Sequence, residues 1–136
     1  MLIVPVPASP VTSITRLNST VKDLFIYLYN LSPLDVDVFF LLMKNKKPMT
    51  IDDMAKKLRR DKSNIFRSVQ KLVTLGICTK DAMTLEEGGY YHVYAAVDIK
   101  TFRLETEKRI NELKSSFDRI LKRFESDMES TLKSLP

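Results

Sequence analysis

The sequence predicts a mainly α-helical chain: a run of short helices, then a β-hairpin, then one long C-terminal helix. Three observations carry this. Apolar residues recur at helical spacing between about residues 16 and 73. The period then drops to two over residues 77–83 and 90–97, on either side of a turn-like stretch with two glycines. From 98 to 135 there is neither Gly nor Pro, and apolar residues return at spacings of four and three. A length of 136 residues fits one domain, or one domain with an appendage, and an apolar fraction of 44% is enough for a core.

Residues 1–15 read as an extended N-terminal arm. They carry no charged side chain, and Pro5, Pro7 and Pro10 break the apolar run, so they do not form a signal peptide. A first helix is expected over 16–30, where Leu17, Val21, Leu24, Phe25 and Leu28 share one face. A second has a clear start: Ser32 as N-cap, Pro33 at the first helical position and Asp35 completing a capping box. It carries Leu34, Val38, Phe39, Leu42 and Met43 and stops within 45–48. A third begins after the cap Thr50, with Asp53 three residues on, and buries Ile51, Met54, Ala55 and Leu58. Arg59, Arg60 and Asp61 form a tight turn. Asp61 then caps a fourth helix whose inner face is Ile65, Val69, Leu72 and Val73, and Gly76 ends it in the left-handed conformation.

Charge concentrates on this helix-turn-helix. Residues 44–71 hold ten Lys or Arg against three Asp, a net of +7 in a chain of net +5, so the remainder is −2. A basic patch on a helix-turn-helix points to the phosphate backbone of double-stranded DNA. In such a motif the second helix enters the major groove. With the apolar face turned inward, Ser63, Asn64, Phe66, Arg67 and Gln70 are the candidate base readers. Arg pairs with guanine, Asn and Gln with adenine, and an aromatic ring packs on a thymine methyl or a sugar. Lys44, Lys46, Lys47, Thr50, Lys56, Lys57, Arg59, Arg60, Lys62 and Lys71 are the candidate backbone contacts, which position without specifying. The hairpin would be a wing, but its tip, Glu86-Glu87-Gly88-Gly89, is acidic and repels phosphate. Lys80, Tyr90 and His92 on its flanks are the parts expected near DNA.

Several function classes are excluded. One Cys and one His allow neither a disulfide nor a thiolate or two-imidazole metal site, so no metal and no cofactor is expected. No nucleophile–base set appears, and Gly88-Gly89 lacks the Lys and Ser/Thr of a phosphate loop, so the chain is not expected to be an enzyme. Cys78, opening a strand, reads as a buried structural thiol. Without a run of about 18 apolar residues nothing spans a membrane; the expected location is cytoplasmic, with the nucleoid.

The last 38 or so residues form a helix of roughly 55 Å, whereas the preceding domain of about 80 residues is only about 25–30 Å across. Its heptad stripe of Thr106, Ile110, Leu113, Phe117, Ile120 and Phe124, continued by Met128 and Leu132 at spacings of four, therefore outruns its own domain. A homodimer through Ile110, Leu113, Phe117, Ile120, Phe124 and Met128 is the expected cover. The carboxylates at 105, 107, 112, 118, 125, 127 and 129 alternate with Lys and Arg as flanking charges do in a coiled coil.

Residues 31–78 resemble the winged helix-turn-helix of the archaeal TrmB family and its MarR/ArsR-like relatives. The likeness lies in the Leu-Ser-Pro opening, in Ala55, in Ser63, Ile65, Phe66 and Arg67 at the start of the recognition helix, and in Leu72 and Gly76 at its close. The strand from Tyr91 to Val97 leading into a long helix extends it, so it covers about residues 31–125. The resemblance implies a short-form transcription regulator with a C-terminal coiled-coil dimerisation helix. Two departures stand out. Arg60 occupies a turn position that usually buries Val or Ile, and the sugar-sensing part of long members is not in this sequence, so no sugar ligand is implied. The domain plan is an arm (1–15), a winged helix-turn-helix (16–97) and a dimerisation helix (98–136). The residues leave three readings open: a dimeric sequence-specific regulator, an architectural chromatin protein binding DNA with little sequence preference, and a protein-interaction module on the same scaffold.

Overall fold

The computed structural model describes residues 10–136, with side chains from residue 13 onward. The chain divides after Phe102 into a globular unit and a helical unit, 103–136. Of the expected arm, residues 1–9 lie outside the described residues. Pro10–Thr15 is a short helix, α1, instead of extended chain. Among the described residues no single helix is long and apolar enough to cross a membrane.

The next helix, α2 (Val21–Tyr29), starts five residues later than its apolar pattern implied. Thr20 makes the start: its N–H and hydroxyl donate to the Asp23 carboxylate at 3.0 and 3.3 Å. Leu17 is left outside the helix and fully exposed, and Val21 is exposed too. Phe25 and Tyr29 face the core instead. Helix α3 (Pro33–Lys44) begins as expected. The Asp35 N–H donates to the Ser32 hydroxyl at 3.1 Å, and the Ser32 N–H donates to the Asp35 carboxylate at 2.9 Å. Val36, Val38, Phe39 and Leu42 fill the centre of the unit. Phe102 belongs to this unit, its ring 4.8 Å from those of both Phe25 and Phe39. Such edge and tilted aromatic contacts add to the gain from burial.

Helix α4 (Ile51–Leu58) is capped by the Thr50 hydroxyl, which accepts from the Asp53 N–H at 3.1 Å. Helix α5 (Lys62–Thr74) follows a three-residue turn in which Arg59 adopts φ 54. Asp61 holds the N-cap position of α5, but its carboxylate accepts from the Ser63 hydroxyl and not from the backbone, so the expected side-chain cap is absent. The C-terminus of α5 closes as expected. Gly76 at φ 79 lets its N–H reach the Val73 carbonyl and the Ile77 N–H reach Leu72, while Ile77 and Leu72 are both buried.

Strands β1 (Cys78–Thr84) and β2 (Tyr90–Ala96) form the antiparallel hairpin, with Cys78 opposite Ala96 and Thr84 opposite Tyr90. A third partner, absent from the period-two pattern, joins them. Met49 exchanges both backbone hydrogen bonds with Tyr94, at 2.9 and 2.8 Å, which pins the chain just before α4 to the wing. Met49 and Tyr94 are both buried.

The expected single C-terminal helix is two: α6 (Ile99–Lys122) and α7 (Phe124–Lys133). Asp98 caps α6 by accepting from the Thr101 N–H at 2.6 Å, and that bond holds its carboxyl below the usual range. The interruption is at Arg123, φ −107, where the Ser126 hydroxyl donates to the Arg123 carbonyl at 3.1 Å. That carbonyl also accepts from the Asp127 N–H at 2.9 Å, so Arg123 is the N-cap from which α7 restarts, with no Gly or Pro at the break. The break falls where the apolar spacing shifts from alternating fours and threes to fours alone.

One buried charge joins the helices of the globular unit. The Asp35 carboxylate accepts from the Ser68 hydroxyl of α5 at 2.6 Å and from the Lys71 ammonium at 3.0 Å. Lys71 also donates to the Asn30 carbonyl at 2.5 Å. Burial opposes ionisation of Asp35, but the Ser68, Ser32 and Lys71 donors outweigh it and hold the carboxyl below its ordinary 3.8. A carboxyl lowered on folding adds stability above its unfolded value and loses it as pH falls through the folded one. Urea denaturation should therefore show stability falling below about pH 4, a dependence that Asp35→Asn removes in part. Asp35→Ala should cost about 2–3 kcal/mol at pH 7, since charge-assisted bonds are lost from a buried site. A loss below about 0.5 kcal/mol would contradict this role.

Candidate nucleic-acid interface

The inner face of α5 is set by Ile65, Ser68, Val69 and Leu72, all buried. The helical period then turns the five candidate readers, Ser63, Asn64, Phe66, Arg67 and Gln70, outward, and all five are exposed. Two of them are joined: the Arg67 guanidinium donates to Asn64 Oδ1 at 2.6 Å, one helical turn away. This holds an otherwise floppy guanidinium over the exposed face. It also occupies the Asn64 oxygen that a bidentate adenine contact needs.

The candidate backbone cations separate into free and engaged. Lys44, Lys46, Lys47, Lys56, Lys57, Arg59 and Arg60 are exposed. Lys47, Lys56 and Lys57 line one groove with Asp53, at the end of α3 and along α4. Lys62 is exposed but reaches back to Asp52 of α4 at 3.1 Å, a pair in open solvent that yields readily to a phosphate. Lys71 is a correction. Expected to face outward, it is turned to Asp35 and Asn30 and braces α5 against α3. Ser68, which is not among the residues expected from the sequence, is the other brace. Its only signal is a polar residue within the apolar register of α5.

The wing keeps its acidic and basic residues apart. Glu86 and Glu87 sit at the exposed tip, in a turn whose Gly88 and Gly89 have φ 94 and 84. Lys80 and His92, by contrast, lie with Thr50 and Phe66 around one cavity, to which Tyr91 and Tyr94 contribute further aromatic surface. Tyr90 is exposed, its ring 5.4 Å from that of His92. The Met49–Tyr94 bridge brings the cap of α4 and the wing together. Sequence periodicity contains nothing about such a pairing.

Cys78 is buried, and burial pushes its thiol up to about 12. Among the described residues no group of His, Cys, Asp or Glu side chains is arranged to hold a metal ion.

A short helix, a three-residue turn, a second helix with a polar outer face and a following hairpin together make a winged helix-turn-helix. The chain belongs to the TrmB family: the family described as "Sugar-specific transcriptional regulator TrmB" matches residues 28–100, from the end of α2 into the start of α6. These are transcriptional regulators, not enzymes, and the family implies DNA binding. The chain is 30% identical over 110 residues to an uncharacterized protein, MJ1503, of Methanocaldococcus jannaschii, covering 81% of this chain and 80% of that one. A solved structure described as a possible transcriptional regulator from Methanosarcina mazei has the same fold, with TM-score 0.72 at 24% identity over 81% of this chain and 95% of its own. The ST1889 protein of Sulfolobus tokodaii superposes with TM-score 0.59 at 18% identity, over 70% of this chain and 92% of that one.

With its thiol raised to about 12, Cys78 has almost no thiolate near neutrality. At pH 8 the native protein should leave a chromogenic disulfide reagent unreacted over minutes, and should release one thiol per chain once unfolded in guanidinium. Rapid native labelling would show Cys78 to be accessible.

Proposed function

We propose that this chain is a dimeric, sequence-specific double-stranded DNA-binding transcription regulator, acting as a repressor or local modulator. The observation that carries the reading is the exposed row of α5, with Arg67 already braced by Asn64 on a helix locked to the core by Ser68 and Lys71. A preorganised guanidinium is suited to bidentate pairing with guanine O6 and N7. Asn64 then acts as the brace, and Ser63 and Gln70 contact neighbouring bases. The exposed lysines at the end of α3 and along α4, with Arg59 and Arg60, follow the phosphates. The acidic wing tip stands off the backbone while Lys80 approaches it.

Dimerisation is supported by α6 and α7. Phe117, Ile120, Phe124 and Met128 are each about half exposed in the single chain, and Ile110 and Leu113 are half-buried. Exposed aromatic and branched residues in a continuous stripe mark a surface that another protein covers. The ion pairs Arg109–Glu105 and Arg123–Asp127 keep charge on these helices in i, i+4 pairs. Two recognition helices then address half-sites about one helical turn apart.

With roughly four phosphates neutralised per protomer, log K should fall with log salt at a slope of about −7. Affinity independent of salt would sink the DNA reading and leave the interaction-module alternative. Arg67→Ala should weaken the best site by about 1–3 kcal/mol, and Arg67→Lys should not restore it. Selection from random duplexes tests specificity: a convergent palindrome supports a regulator, and no convergence favours the architectural reading. Phe117→Glu with Ile120→Glu should convert a sedimenting dimer to monomer without loss of helicity, because both sites are exposed in the single chain, and should roughly halve the salt slope. A wild-type monomer at micromolar concentration would contradict the dimer.

A further inference from the structure

We propose that the cavity between the start of α4, the outer edge of α5 and the wing binds a mononucleotide, and that its occupant competes with DNA. The cavity has a volume of about 360 Å3, within the range of small-molecule sites, and its walls come from three separate elements of the globular unit.

Three features define the ligand. The first is a cation and an unmatched imidazole. Lys80 makes no ion pair among the described residues, and His92 has a buried Nδ1 without a hydrogen-bond partner. Lys80 is the seat for an anion, and the His92 ring lies beside it on the cavity wall. The second feature is flat apolar surface. The rings of Phe66 and Tyr91 line the cavity and remain 44% and 40% exposed, as stacking surfaces must be in the empty state. The third is an acceptor: the Asp52 carboxylate lines the same cavity, holding Lys62 at 3.1 Å through one oxygen. Its other oxygen is available to sugar hydroxyls.

A bare phosphate uses only the first feature, and an uncharged ring only the second. A phosphate, a pentose and a planar base in one molecule use all three. The same chemistry is present in a free nucleotide and in a DNA strand, so the two are rivals for Phe66 and Lys80. Mutual exclusion couples them reciprocally: each ligand lowers the affinity for the other by the same factor.

The competition rests on the DNA-binding reading; nucleotide binding itself does not, and it is measured without DNA. The chain has one His, so a 15N-histidine-labelled sample of the full chain reports on His92 alone. Adenosine monophosphate should shift that signal saturably with a Kd of about 1 mM or tighter. Inorganic phosphate and adenosine should each bind at least about tenfold more weakly, as should the nucleotide to Lys80→Met and to Phe66→Ala. Both variants change exposed side chains, and an unchanged thermal midpoint verifies that they fold. On duplex DNA, nucleotide at about ten times its Kd should raise the apparent Kd about tenfold. An unmoved histidine signal overturns the site, and equal binding of inorganic phosphate overturns the nucleotide assignment. A histidine signal that responds to duplex but not to nucleotide makes the cavity a backbone seat and overturns it likewise. Nucleotide binding with unchanged DNA affinity overturns the competition.

Discussion

The orientation of the recognition helix depends on one buried carboxylate. Hydrophobic burial holds α5 against α3 but is non-directional, so by itself it tolerates rotation or sliding of one helix on the other. Asp35 supplies direction. It accepts from Ser32 in its own cap, from Ser68 on the inner face of α5, and from Lys71 one turn further along. Charge-assisted bonds are short and geometrically demanding. Once Ser68 and Lys71 are fixed, Arg67 and Gln70 on either side of Ser68 have no choice of face. The polar register of the outer surface is thus set from inside the core.

The same economy governs the charges. The cluster of ten cations that marks residues 44–71 is not uniformly a DNA surface. Lys71 serves the fold, and Lys62 is loosely tethered to Asp52. The exposed cations that make no ion pair among the described residues lie at the end of α3, along α4 and in the turn before α5, which displaces the proposed phosphate-facing region toward that end of the motif. On the other side the wing offers Lys80 near the cavity and Glu86-Glu87 at its tip. Opposite charges are thus held at two places on one hairpin, one beside the cavity and one at the turn.

The helical unit is governed by a different constraint. Its apolar stripe has no counterpart of Asp35 and is exposed along Phe117, Ile120, Phe124 and Met128. Directional bonds there run along the helices themselves, as in Arg123–Asp127. Under the proposed dimer, specific packing would come from knobs on a facing helix.

What the sequence determined by itself is what short-range physics controls. Ser32 with Asp35, Thr50 with Asp53, and Gly76 start or stop helices through bonds spanning three to five residues, and each is where its spacing implied. The change of period after Gly76 marked the hairpin, and the outward row of α5 followed from Ile65, Val69 and Leu72 alone. Where local signals competed, pattern was insufficient: Thr20 overrode Leu17 in starting α2, and the C-terminal helix is interrupted at Arg123 with no Gly or Pro. Only the tertiary structure decided the rest, because it depends on partners far apart in the chain. Asp35 meets Ser68 across 33 residues and Met49 meets Tyr94 across 45, pairings that no periodicity encodes. They are the ones that turn Lys71 from a surface charge into a brace and bring His92, Lys80 and Phe66 around one cavity.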